Sequence, residues 1–99
     1  MKECSITRTM FFLSKKWTLV ILKELSEGKK SFLELSNNLN GISTRTLTVR
    51  LKELEKEGII DSKRLMQTPP KTEYYLTKKG KDLIKCFKYL VKWTKKYKV

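Results

Sequence analysis

The chain has 99 residues, 39 % of them hydrophobic and 33 % charged, which supports one modest core and excludes both a second domain and wholesale disorder. Lysine and arginine number 23 against 10 acidic residues, a net charge of +13 with no histidine. That excess favours an anionic partner, nucleic acid before anionic membrane, with a lysine-enriching codon or habitat bias as the competing source. Two cysteines, Cys4 and Cys86, make no disulfide framework and, without histidine, no zinc site; no apolar run is longer than Leu19 to Leu22; and no leader-like segment opens the chain. A cytoplasmic protein without metal, cofactor or membrane span is expected.

Cys4 to Leu13 reads as a short first helix with Ile6, Met10 and Leu13 on one side and Phe11 and Phe12 adding apolar surface beyond it. The second helix, Trp17 to Ser26, carries Trp17, Leu19, Val20, Ile21, Leu22 and Leu25 and ends at Gly28. So apolar a segment is not expected of an exposed helix and predicts the central core element. Trp17 is read as core, ligand stacking being the alternative.

A helix-turn-helix is expected over about 31–57. Ser31-Phe-Leu-Glu34 has the spacing of a capping box ahead of Phe32, Leu35 and Leu39, and Asn40-Gly41-Ile42 is a tight connector. Ser43 can cap the next helix, about 43–57, and Gly58 can end it in the left-handed conformation that other residues resist. Leu47, Leu51 and Leu54 fall at i, i+4 and i+7, one face that must be buried. Arg45, Thr48, Val49 and Lys52 project away from it, offering hydroxyl, methyl and cationic groups suited to base edges and phosphates. With Ser43 and Thr44 at the first turn, they form the candidate DNA-contacting set. Taken by itself, a charged helix face that meets only water is the competing reading; the neighbouring elements favour recognition.

Ile59 to Met66 and Thr72 to Leu76 are strand-like runs, with Tyr74 and Leu76 alternating against Glu73 and Tyr75. Between them Gln67-Thr-Pro-Pro-Lys71 cannot lie inside a paired central strand, so 59–76 is read as a β-hairpin with Lys63, Arg64 and Lys71 making it cationic, a wing beside the recognition helix. An ordinary surface turn is the alternative for the prolines. Thr77 then caps one long helix, about 78–97, in which Leu83, Phe87, Leu90, Thr94 and Tyr97 form a near-heptad stripe with Ile84 and Val91 alongside. The stripe predicts a dimer seam shared with the first helix, about 5–13, through Ile6 and Met10; packing on its own domain is the alternative. The 10 lysines between Lys71 and Val99, set against Glu73 and Asp82, are read as a solvated flank, and Cys86 as a packing residue.

Across nearly its full length the chain resembles the HxlR-type winged-helix transcriptional regulators, a branch close to the MarR-like regulators. The resemblance rests on Cys4 ahead of Lys16-Trp17, on Lys30-Ser-Phe-Leu-Glu-Leu35, on Gly41-Ile-Ser with Leu47-Thr48 and Arg50-Leu-Lys-Glu-Leu-Glu55, and on Pro69-Pro-Lys-Thr-Glu-Tyr74 with Leu76-Thr77 and Gly80. It implies a homodimer joined through its first and last helices, with two winged helix-turn-helix units on double-stranded DNA at a pseudo-palindromic operator. It also implies, for some members, sensing of electrophiles or oxidants at the N-terminal cysteine, here Cys4 with Arg8 one turn away. The chain departs from the pattern at Ser5, Ser14-Lys15, Thr44, Lys78 and Val49. Val49 replaces a frequent polar residue and points to contact with a thymine methyl.

The expected fold is thus α+β and mostly helical, a winged helix-turn-helix with additional dimerisation helices. The expected function is sequence-specific DNA-binding regulation of transcription. A non-specific nucleic-acid or chromatin-type binder is the alternative, marked by affinity that follows salt but hardly sequence. Enzymatic activity is not expected, since histidine, a Gly-rich phosphate loop and paired carboxylates outside the charged run Glu53, Glu55 and Glu57 are all missing.

Overall fold

The computed structural model describes residues 5–98. In chain order these form α1 (Ser5–Leu13), α2 (Thr18–Ser26), β1 (Lys30–Ser31), α3 (Phe32–Asn38), α4 (Thr44–Lys56), β2 (Ile60–Leu65), β3 (Lys71–Leu76), α5 (Lys78–Ile84) and α6 (Phe87–Tyr97). The fold is α+β and mostly helical, with a small antiparallel sheet in the order β1-β3-β2.

The helix-turn-helix forms through the local signals read above. Ser31 accepts from the Glu34 N–H while the Glu34 carboxylate accepts from the Ser31 N–H, a complete capping box. Ser43 caps α4 by accepting from the Thr46 N–H, and Gly58 follows that helix at φ +73°. Their apolar faces then meet. Ile21, Leu22 and Leu25 from α2, Leu35 and Leu39 from α3 and its end, and Leu47, Leu51 and Leu54 from α4 pack with Ile59, Ile60 and Leu76 into one buried core. Burying each such side chain contributes on the order of 1.5–3 kcal/mol.

The hairpin is in regular register from Ile60 opposite Leu76 to Leu65 opposite Lys71. A third strand, β1, was not expected: Lys30 pairs with Tyr74 and Ser31 with Glu73. It is only two residues long, too short for any alternation to show, and Ser31 both ends it and caps α3.

The structure differs from expectation on three further points. Helix α2 is not wholly interior, because Leu19 and Val20 are 41 % and 43 % exposed; at helical spacing they sit opposite Ile21, Leu22 and Leu25. Trp17 is only partly buried and stands just before α2 at φ +81°, a left-handed backbone that costs a non-glycine residue on the order of 1–3 kcal/mol. The expected single last helix is two. At the junction the N–H groups of Cys86, Lys88 and Tyr89 donate to the carbonyls of Leu83, Lys85 and Cys86, three residues back instead of four. Leu83 and Ile84 of α5 and Phe87 at the start of α6 are drawn against the core, whereas the rest of α6 is exposed.

Where the last arm leaves the wing, the fit is tight. Thr77 donates its hydroxyl to the carbonyls of Gly58 and Ile59 and caps α5 by accepting from the Gly80 N–H. Gly80 lies so close to the Ile59 backbone that a Cβ there would overlap its carbonyl oxygen.

Candidate nucleic-acid interface

Helix α4 presents four distinct sides. Leu47, Leu51 and Leu54 are buried at 0 %, 1 % and 1 % exposure. Opposite them Arg45, Val49 and Lys52 are exposed, and Lys56, not among the expected contacts, continues the same face one turn on. Among the described residues, Arg45 and Lys52 form no hydrogen bond or ion pair, so their charges stay available. One flank faces the wing, where Ser62 donates its hydroxyl to the Glu55 carboxylate at 3.2 Å. The other flank, Arg50 and Glu53, faces the turn between α1 and α2.

The remaining expected contacts on this helix are partly committed to its own structure. The Ser43 hydroxyl accepts from Thr46 N–H at 3.0 Å and donates to Thr46 Oγ1 at 2.9 Å. Thr48 is half-buried and donates to the Thr44 carbonyl at 2.8 Å, leaving its oxygen lone pairs and methyl free. Thr44 is exposed on the first turn.

On the wing, Lys63 and Arg64 are exposed opposite Glu73 and Thr72. Lys71 is half-buried, with its ammonium 3.9 Å from the Glu73 carboxylate, which Lys29 also approaches at 3.7 Å. Its charge is therefore partly neutralised, whereas Lys63 and Arg64 keep the hairpin cationic. At the tip Met66 is exposed with Gln67 to Pro70.

Ile6 and Met10 lie exposed on α1, and Leu90, Thr94 and Tyr97 exposed on α6; Leu83 and Phe87 are half-buried against the core. The Thr94 hydroxyl donates to the Leu90 carbonyl. Trp93, absent from the expected stripe, is exposed beside Tyr97 with ring centres 5.4 Å apart. Cys4 lies outside the described residues. Cys86 is exposed at the α5–α6 junction and does not pack in the chain's core as expected.

The electrostatics of the site are structural rather than catalytic. Hydrogen bonding from Lys15, reinforced by the charges of Lys15 and Arg50, holds the Glu53 carboxyl below the usual carboxylate range despite some burial. Hydrogen bonds from the Ser31 backbone and hydroxyl do the same for Glu34. Burial, aided by the Glu55 charge, raises the Tyr74 phenol. Among the described residues no cluster of three or more Cys, Asp or Glu could hold a metal ion, and no helix is long and apolar enough to cross a membrane.

The sequence profile of the HxlR-like helix-turn-helix family matches residues 12–99. The chain is 37 % identical over 95 residues to YdeP of Bacillus subtilis (strain 168), an uncharacterized HTH-type transcriptional regulator, covering 96 % of this chain and 74 % of YdeP. A transcriptional regulator of the MarR family from Enterococcus faecalis V583 superposes with a TM-score of 0.84 at 35 % identity, over 94 % of this chain and 84 % of that one. Reduced YodB from B. subtilis superposes with a TM-score of 0.83 at 34 % identity, over 95 % of this chain and 92 % of its own. The diamide-treated form of YodB gives 0.79 at 33 % identity, over 98 % and 96 %.

Proposed function

Because the chain belongs to the HxlR-like helix-turn-helix family and is a DNA-binding transcriptional regulator, we propose that it works as a homodimer on a pseudo-palindromic operator. Helix α4 enters the major groove with Ser43 and Thr44 at its leading end and Arg45, Thr48, Val49 and Lys52 toward the bases and phosphates, while Lys63, Arg64 and Lys71 bring the wing to the backbone or minor groove. The observation that carries this reading is the exposed Arg45–Val49–Lys52 face, its cations unpaired among the described residues, directly behind a fully buried leucine face. Pairing of α1 and α6 from two subunits would cover Ile6, Met10, Leu90 and Tyr97 and set two recognition helices about 34 Å apart.

The test begins with selection of bound fragments from genomic DNA, followed by footprinting. A single palindromic site supports the regulator; binding that follows salt but not sequence would favour a general nucleic-acid binder. On the selected site, Arg45→Ala and Lys52→Ala should each cost roughly 1–3 kcal/mol of affinity with unchanged helical content. Wild-type affinity in both variants would mean that another face reads the DNA.

A redox input at Cys4 is part of this proposal. It is supported by the likeness to YodB, known in reduced and diamide-treated forms, and by the cationic Arg8 four residues after Cys4 in the sequence. Diamide would take two hydrogens from the Cys4 thiols of two subunits and leave a disulfide, changing the spacing of the recognition helices. Operator affinity of the wild type should then shift on diamide treatment, Cys4→Ser should not respond, and Cys86→Ser should respond as wild type. An unmoved wild type removes the sensing role.

A further inference from the structure

Two side chains on α4 face neither the core nor the exposed recognition face. Arg50 donates from Nε to the Lys16 carbonyl at 2.9 Å and from Nη1 to Glu53 Oε1 at 3.1 Å, and the other Glu53 oxygen accepts from Lys15 Nζ at 2.8 Å. The carboxylate thus joins both cations, and the planar guanidinium bridges a backbone carbonyl to a side chain on its own helix. What they hold is the turn through which α1 passes into α2. It includes the left-handed Trp17, whose ring lies 3.9 Å from where a Cβ at Gly41 would stand, in the connector of the helix-turn-helix. The strained backbone persists because neighbours on both sides over-determine it.

We infer that Arg50 and Glu53 are positioning residues for operator recognition, which lock α4 to the Lys15–Trp17 turn and so make the orientation of the recognition helix depend on α1. This rests on the reading of α4 as the operator-contacting helix. The C-terminal end of α4, one turn beyond Glu53, is held differently: Lys79 donates to the Glu57 carbonyl at 2.5 Å, Thr77 to those of Gly58 and Ile59, and Gly80 is pressed on the Ile59 backbone. Backbone carbonyls and a glycine leave little play at that end. The α1 side is a network of side chains at the surface, with Lys15 45 % and Glu53 29 % exposed. A movement in α1, from dimer rearrangement or from chemistry at its N-terminal end, would reach α4 through this network.

The position of these groups also argues against direct DNA contact. Arg50 is already engaged through two of its nitrogens, and Glu53, kept ionised by its two cations, would repel a phosphate beside it. The experiment compares wild type, Arg50→Lys, Arg50→Ala and Glu53→Gln on the selected operator and on a scrambled duplex of equal length, each over a salt series. Operator affinity should fall roughly tenfold in all three variants, the size of effect that one coupled network supports. Affinity for the scrambled duplex and the slope of log K against log salt should stay at wild-type values, because no phosphate contact is lost. Arg50→Lys keeps the charge but not the fork and should not rescue.

If Arg50 touches phosphate instead, Arg50→Ala weakens both duplexes and lowers the salt slope by about one, while Arg50→Lys stays near wild type; that overturns the inference. A variant that is partly unfolded loses both duplexes in proportion, and Glu53→Gln, which removes one charge and no volume, then decides the matter. A wild type that fails to discriminate the operator sinks the recognition reading and this inference with it. A wild type that discriminates, with Arg50→Lys and Glu53→Gln unchanged, sinks the inference alone.

Discussion

The winged helix-turn-helix and the two arms that flank it solve the burial problem in opposite ways. From α2 to β3, apolar side chains from three helices and the hairpin close on one another and leave Leu47, Leu51 and Leu54 almost without contact with solvent. The arms do not close. Ile6 and Met10 on α1 are 60 % and 62 % exposed, Leu90, Trp93 and Tyr97 on α6 are 57 %, 53 % and 57 %, and no residue of α6 after Phe87 is even half-buried. The Cα radius of gyration, 14.8 Å, exceeds the roughly 13 Å of a compact chain of this length, as expected if the arms stand away from the body. The first region is finished within one chain, whereas the second has an apolar face larger than isolated surface residues require. That contrast locates stability in the body and leaves the arms as the surface on which the proposed dimer would form.

The largest effect should come where the two regions join. Gly80 begins the α5 arm, yet its missing side chain is a requirement of the body, since a Cβ would overlap the Ile59 carbonyl oxygen and press on Leu76. Neither the strand end nor the capped first turn of α5 can retreat without breaking the hydrogen bonds of Thr77. Gly80→Ala is therefore expected to destabilise the protein by about 3 kcal/mol or more, read as a lowered urea midpoint with an unchanged slope. A midpoint equal to wild type would show that the junction is loose, and the division between body and arm would lose its boundary.

The body was far more legible in the sequence than the arms, for a physical reason. Ser31 with Glu34, Ser43, Gly58 and the leucine spacing of α4 are local signals, each satisfied within a few residues, and the structure contains them as read. The exposed face opposite those leucines follows from the same helical period. Features set by distant contacts were not legible. β1 is defined only by its partner β3, and Trp17, at φ +81°, lies in a turn whose Lys16 carbonyl accepts from Arg50 on the distant α4. Arg50 and Glu53 looked like ordinary charges on a charged helix; nothing in their spacing shows that Lys15 and Lys16, remote in sequence, complete them. The interruption at Cys86 was hidden because no glycine or proline marks it and the apolar pattern runs straight through. The proposed pairing of α1 and α6 rests on the stripe alone, since any partner surface for it would lie beyond a single chain.

The smallest effect on the folded chain, and the sharpest on assembly, should come from Leu90→Glu. Within one subunit Leu90 is exposed and lines a shallow groove with Phe87, Val91, Thr94 and Lys95. A carboxylate there meets water and the nearby lysines, so the cost to the isolated fold should stay within about 0.5 kcal/mol. In a dimer the same carboxylate must be buried in an apolar seam without a dedicated partner or force the seam open. Sedimentation should therefore show wild-type dimers and Leu90→Glu monomers at the same concentration. The melting temperature should rise with protein concentration for wild type and not for the variant, because only the former is stabilised by association. Operator affinity should fall as the second half-site is lost, while a half-site duplex is bound equally by both. If Leu90→Glu remains a dimer, α6 is not the seam and its apolar face serves another contact; if it unfolds as a monomer, α6 belongs to the body after all and the two regions are one.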